Sequence, residues 1–106
     1  MTDKIVVLST CGSAEEAEKI ARGLVESRLA ACVNVVPGLR SVYRWQGAVE
    51  SASECLLLIK SSRGLLESLR AELEKLHSYE VPEILALPVV AGSANYLNWL
   101  EGELRG

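Results

Sequence analysis

Metal-cage and disulfide-forming residues are scarce in this chain: 106 residues hold three cysteines and one histidine. Cys11, Cys32 and Cys55 are odd in number, widely separated and form no CxxC pair, which argues against a disulfide framework and against a zinc module. With so few ligands, any metal site must be open, rich in carboxylates or shared between chains. Clustered basic residues are missing too. A net charge of -3 and a pI near 5.2 give a phosphate backbone nothing to attract it, so nucleic acid is not an expected partner. The longest apolar runs, such as Ile5 to Leu8 and Cys55 to Ile59, fall far short of the roughly 20 residues that cross a bilayer. Met1-Thr2-Asp3-Lys4 does not lead into a signal-peptide core, so the expectation is a soluble, cytoplasmic protein with no membrane partner. No Ser/His/Asp order, HExxH or Walker-type motif is present, and a non-enzymatic role is expected.

What remains is enough for one ordinary domain, residues 1–106, with 49% apolar content to fill a core. The most informative stretch is Ala31 to Ile59, ACVNVVPGLRSVYRWQGAVESASECLLLI, which reads as one antiparallel β-ribbon. Its first arm, Ala31 to Gln46, would extend roughly 50 Å at about 3.3 Å per residue, whereas a compact chain of this length is only about 30–35 Å across. Part of the ribbon therefore overhangs, and its unpaired edges and surplus apolar face suit pairing with copies of the same chain. The reversal is placed at Gly47, within Trp45-Gln46-Gly47-Ala48. Pro37-Gly38 fits a type II turn, but two-residue hairpins favour the primed types, so it is read as a bend or bulge on an outer strand.

Around the ribbon, Ile5 to Ser9 suits a central strand buried on both faces. Ser13 opens a helix with Glu16 as a capping box, and Ala14, Ala17, Ile20, Ala21, Leu24 and Val25 make its apolar stripe. Ser61 and Ser62 mark a second helix ending near His77, with Leu65, Leu66, Leu69, Leu73 and Leu76 in its buried stripe. Ile84 to Val90 is a further strand, where Pro88 points to an edge, and Ser93 caps a short final helix docked through Leu97, Leu100 and Leu104. The fold class is thus α+β: a ferredoxin-like split βαβ, in the order βαββαβ plus a C-terminal helix.

The densest polar cluster is the loop His77-Ser78-Tyr79-Glu80-Val81-Pro82-Glu83, with an imidazole, a phenol and carboxylates that can ligate a cation or shuttle a proton. The plainer alternative is a helix end where His77 meets the last carbonyls. Tyr43, Arg44 and Trp45 near the ribbon tip form either a ligand wall or a packing surface against a neighbour. Cys11, just before Gly12-Ser13, sits where a helix terminus would lower its thiol pKa, whereas Cys32 and Cys55 read as small buried hydrophobes. Glu54 and Lys60 on the return arm are either cleft or surface charges.

Three ordered segments, LAACVNVVPGLRSVYRWQG, LHSYEVPEILALPV and YLNWL, closely resemble the CutA1 family, the divalent cation tolerance proteins, over Ile5 to Leu100. The resemblance implies a ferredoxin-like subunit similar to the PII signalling proteins, assembled as a homotrimer through its long strands. It also implies tolerance to divalent metals, Cu2+ especially. The family's cleft between subunits maps onto Cys32, Trp45, Glu54, Lys60, His77, Tyr79 and Glu83. Where some members carry a first-strand cysteine and a His-His pair attributed to copper, this chain has Ser9, Leu76 and His77. Cys11, two residues from Ser9, is then a partial substitute, giving His77, Glu83 and Cys11 as the expected metal set. Ser78 replaces the family's usual proline. The expected function is a trimer binding a divalent metal or small-molecule ligand between subunits. A PII-like signalling or protein-anchoring trimer is the alternative, and an enzyme using Lys60, Glu54 and Tyr79 is a more distant one.

Overall fold

The computed structural model describes all of residues 1–106. Its elements are β1 (Lys4–Cys11), α1 (Ala14–Glu26), β2 (Cys32–Trp45), β3 (Ala48–Ser62), a 3-10 turn (Arg63–Leu65), α2 (Leu66–Leu76), β4 (Leu85–Pro88) and α3 (Ala94–Glu103). The four strands form one antiparallel sheet in the order β2-β3-β1-β4, the arrangement expected of a split βαβ chain.

Alternation along β1 sends Ile5, Val7, Ser9 and Cys11 to one face, where Leu57 and Ile59 of β3 join them under α1 and α2. The helices close that side with Ala17, Ile20, Leu24, Leu69 and Leu73. The expectation that β1 is buried on both faces is corrected by the other side. No helix covers it, and Val6, Leu8, Leu56, Leu58, Val36, Leu85 and Leu87 remain half-buried or exposed.

The ribbon behaves as its length requires. A register shift between Val36 and Leu39, with Gly38 at φ +80, makes Pro37-Gly38 a bulge instead of a reversal. The reversal is the two-residue turn Gln46-Gly47, whose φ values of 51 and 83 are the left-handed pair that matches strand twist. The tip projects, leaving Val42 and Val49 70% and 66% exposed, and the molecule measures 44 × 25 × 23 Å.

Two helix starts differ from expectation. Ser13 caps α1 by accepting from the Glu16 N–H at 3.1 Å, but the Glu16 carboxylate does not return to Ser13; it accepts from the Ser78 N–H at 2.8 Å. Ser61 and Ser62 do not cap α2, because β3 runs through both and the Ser61 hydroxyl donates instead to the Leu29 carbonyl at 2.6 Å. The last strand is shorter than the expected Ile84 to Val90, since Ile84 turns into the core and only Leu85–Pro88 pair along the sheet edge.

The final helix is strapped down at its C-terminal end. Leu100 and Leu104 pack on Ala31 and Leu65, and the buried Lys4 ammonium pairs with Asp3 at 2.6 Å and with Glu101. Arg28, left-handed at φ 62, donates to the Gly102 and Glu103 carbonyls at 2.8 and 3.0 Å, satisfying acceptors that end a helix.

Candidate functional site

The principal cavity, about 610 Å³, opens at the Thr10 end of β1, between the ribbon and the loop that follows α2. Register fixes the ribbon's contribution. Tyr43 pairs with Glu50 and Trp45 with Ala48, and Glu50 lies four residues from Glu54, so these side chains share one face of the ribbon. The loop contributes Tyr79, Glu80 and Glu83, so four carboxylates, two phenols and an indole converge on one mouth.

The loop is held from behind by His77. Its ring is fully buried: Nε2–H donates to the Thr10 carbonyl at 2.7 Å, and Nδ1 accepts from the Tyr79 N–H at 3.0 Å. Those two partners define the neutral tautomer, with the proton on Nε2. Glu16 lies 3.8 Å from Nδ1 and also receives the Ser78 N–H. Burial alone would raise the Glu16 pKa, but the Ser78 hydrogen bonds hold it below the usual glutamate value.

Tyr79 turns its hydroxyl the other way and donates to the Glu54 carboxylate at 2.6 Å. Burial, reinforced by that hydrogen bond and the Glu54 charge, pushes the phenol pKa up. It remains a protonated donor at neutral pH and does not serve as a phenolate base.

Of the residues expected in a ligand cleft, Trp45, Glu54, Tyr79 and Glu83 meet there. Cys32 and Lys60 do not. They are cross-strand partners further along the sheet, and Lys60 Nζ lies 3.9 Å from Cys32 Sγ while bonding the Asn34 side chain. The expected metal set also separates: Glu83 lines the cleft, His77 stands behind its wall with both nitrogens engaged, and Cys11 lies in the core. No three His, Cys, Asp or Glu side chains are drawn together tightly enough to hold an ion within one chain. Cys11 also corrects an expectation about acidity. It belongs to β1, not to a helix terminus, and burial pushes its thiol up to about 11, although a backbone hydrogen bond at Ser13 opposes the rise.

Thr10, Ser41 and Glu50 are cleft residues that the sequence reading passed over. For Glu50 a signal existed in the even spacing Glu50-Ala52-Glu54 along one strand face. Thr10 carried none, because it meets the cleft only through pairing between distant segments.

A family model described as CutA1 divalent ion tolerance protein matches residues 5–103. The chain belongs to the CutA1 family. Among relatives of this CutA1 chain, the divalent-cation tolerance protein CutA of Thermus thermophilus is 54% identical over 95 residues, covering 90% of this chain and 92% of that one. The chloroplastic CutA protein of Arabidopsis thaliana is 48% identical over 101 residues, covering 95% of this chain and 56% of that protein. The chain therefore spans about half the length of that relative. A solved divalent cation tolerance protein from T. thermophilus superposes with a TM-score of 0.94 at 50% identity, covering 96% of this chain and 99% of the other.

Proposed function

We propose that this CutA1 chain acts as a homotrimer that binds a divalent cation, or a small ligand presenting one, at the acidic cleft, without transforming it. The observation that carries this reading is the convergence of Glu50, Glu54, Glu80 and Glu83 beside the overhanging ribbon and next to an uncovered apolar sheet face. Four carboxylates in a mouth of this size exceed what a lone chain organises into a cage, and a neighbouring copy packed on the open face would bring further donors over it. Three free thiols suit a reducing compartment such as the cytoplasm.

The donor set suits a hard, oxygen-seeking cation better than copper(II), which favours imidazole nitrogen. Glu54 and Glu83 would hold the ion, with Trp45 and Tyr79 walling off solvent. Because Tyr79 already donates to one Glu54 oxygen, the ion would take the other or displace the phenol.

The test is calorimetric titration of Mn2+ and Cu2+ into the wild type and into Glu54→Gln and Glu83→Gln. Affinity for Mn2+ is expected to fall at least about tenfold in each variant, the scale of losing one charged ligand. Equal heats in all three proteins would remove the cleft from the reading.

A further inference from the structure

Carboxylates alone do not account for the lining of the cleft. Tyr43 and Trp45 stand two residues apart on β2, so their rings share the ribbon face that carries Glu50 and Glu54, and they are 40% and 39% exposed. Tyr79 adds a third ring from the loop. Ring faces attract ammonium groups and cover methylenes, so this wall suits a cation with apolar substance. The chain leaves the negative charge unbalanced. No lysine or arginine lines the cavity, and Glu50, Glu54, Glu80 and Glu83 join no ion pair. Glu54 is only 9% exposed, and its Oε2 accepts from the Tyr79 hydroxyl, but its Oε1 has no donor within the chain and stays open to solvent. A desolvated charge of this kind needs a positive partner. A metal ion gathers its oxygens at about 2.0–2.6 Å, and no three of these side chains converge so closely. An ion at Glu54 and Glu83 therefore leaves Glu50 and Glu80 unneutralised.

We propose that the cleft binds a linear aliphatic polyamine, whose ammonium groups are strung along a methylene chain as the carboxylates are strung along the ribbon. The inference rests on the reading of the cleft as a cation site and names an organic cation for it. Glu50 and Glu54 lie four residues apart on β3, about 13 Å at about 3.3 Å per residue. Between them the cross-strand pair is Ser41 and Ala52, both small, which leaves a trough along the ribbon. One ammonium group donates to Glu54 Oε1, the methylenes follow the trough, and the next ammonium meets Glu50 against the rings of Tyr43 and Trp45. Glu80 and Glu83 face the bound amine from the loop. Each added amine engages a further carboxylate, so affinity rises with the number of amines.

Calorimetric titration of spermidine, 1,4-diaminobutane, butylamine and Mn2+ into the full chain tests the proposal. One spermidine per chain is expected, held at least about tenfold more tightly than diaminobutane, with butylamine weaker again. Trp45→Ala and Glu50→Gln should each weaken spermidine by about fivefold or more, while Trp99→Phe, outside the cleft, leaves its affinity unchanged. Equal spermidine binding in the wild type, Trp45→Ala and Glu50→Gln, or affinities indifferent to the number of amines, overturns the proposal. Should Trp45→Ala misfold, fluorescence decides instead, because Trp99→Phe leaves Trp45 as the only indole of the chain. Its emission is expected to change as spermidine saturates the cleft, and constant emission overturns the proposal. The two ligands also separate this inference from the metal reading. Mn2+ binding without spermidine binding overturns the polyamine alone, spermidine without Mn2+ overturns the metal alone, and binding of neither overturns both.

Discussion

Ser9 and Glu16 show how differently two polar side chains can fare near the same core. The Ser9 hydroxyl is wholly buried and without a partner, so it carries a desolvation cost that no hydrogen bond offsets. Ser9→Ala should raise stability by about 1 kcal/mol in thermal or urea unfolding; a loss would mean the hydroxyl is served by buried water. Glu16 is the opposite case. Its folded pKa lies below the ordinary 4.5, so it adds stability above that value and loses it as pH falls through the lower, folded pKa. Glu16→Gln should therefore melt below the wild type at pH 7, and the two Tm curves should converge on acidification. Parallel curves would detach the carboxylate from the loop. Neither role was legible from residue types. The capping-box reading of Glu16 was sound local chemistry, but the Ser78 N–H competes for the same carboxylate and lies 62 residues away. His77 was misjudged likewise, because its partners come from β1 and the following loop and leave it no free nitrogen for a metal.

Elements were far easier to anticipate, since their signals are local. Strand alternation, the α1 and α2 stripes, the Ser13 and Ser93 caps, the Pro37-Gly38 bulge and the Gly47 reversal all depend on neighbours within a few residues. Boundaries slipped where a strand's partner decided its length. β3 runs on to Ser62 because β1 accompanies it as far as Lys4, and the run expected at Ile84 to Val90 narrows to Leu85–Pro88 because it meets β1 only there. The turn offers the sharpest test at this scale. Gly47 holds φ 83 with open space around its missing Cβ, so Gly47→Ala meets backbone strain without a clash. It should cost about 1 kcal/mol in equilibrium unfolding, and a neutral result would show that the hairpin tip re-forms with another turn.

For the molecule as a whole, the open sheet face is the feature left over once the core is complete. Val6, Leu8, Leu56 and Leu58 form an apolar floor flanked by Leu87, which is 48% exposed. An uncovered patch of this kind marks an association surface. If three copies share it, sedimentation equilibrium should return three times the chain mass of 11.5 kDa, and Leu87→Lys should shift the population towards single chains. A wild type of single-chain mass at micromolar concentration would sink the trimer and the shared clefts together. The overhang behind this expectation was legible from strand length alone, whereas the cleft was legible only in part: Glu54, Tyr79 and Glu83 were named, but not the pairing that seats Thr10 and Glu50 beside them. The strapping of α3 has a practical use. Lys4 holds Glu101 at the start of β1, while the acidic mouth opens near Thr10, six residues further along, about 20 Å at about 3.3 Å per residue. A biosensor chip could therefore grip the protein by an extension beyond Gly106 and leave the ligand's approach unobstructed.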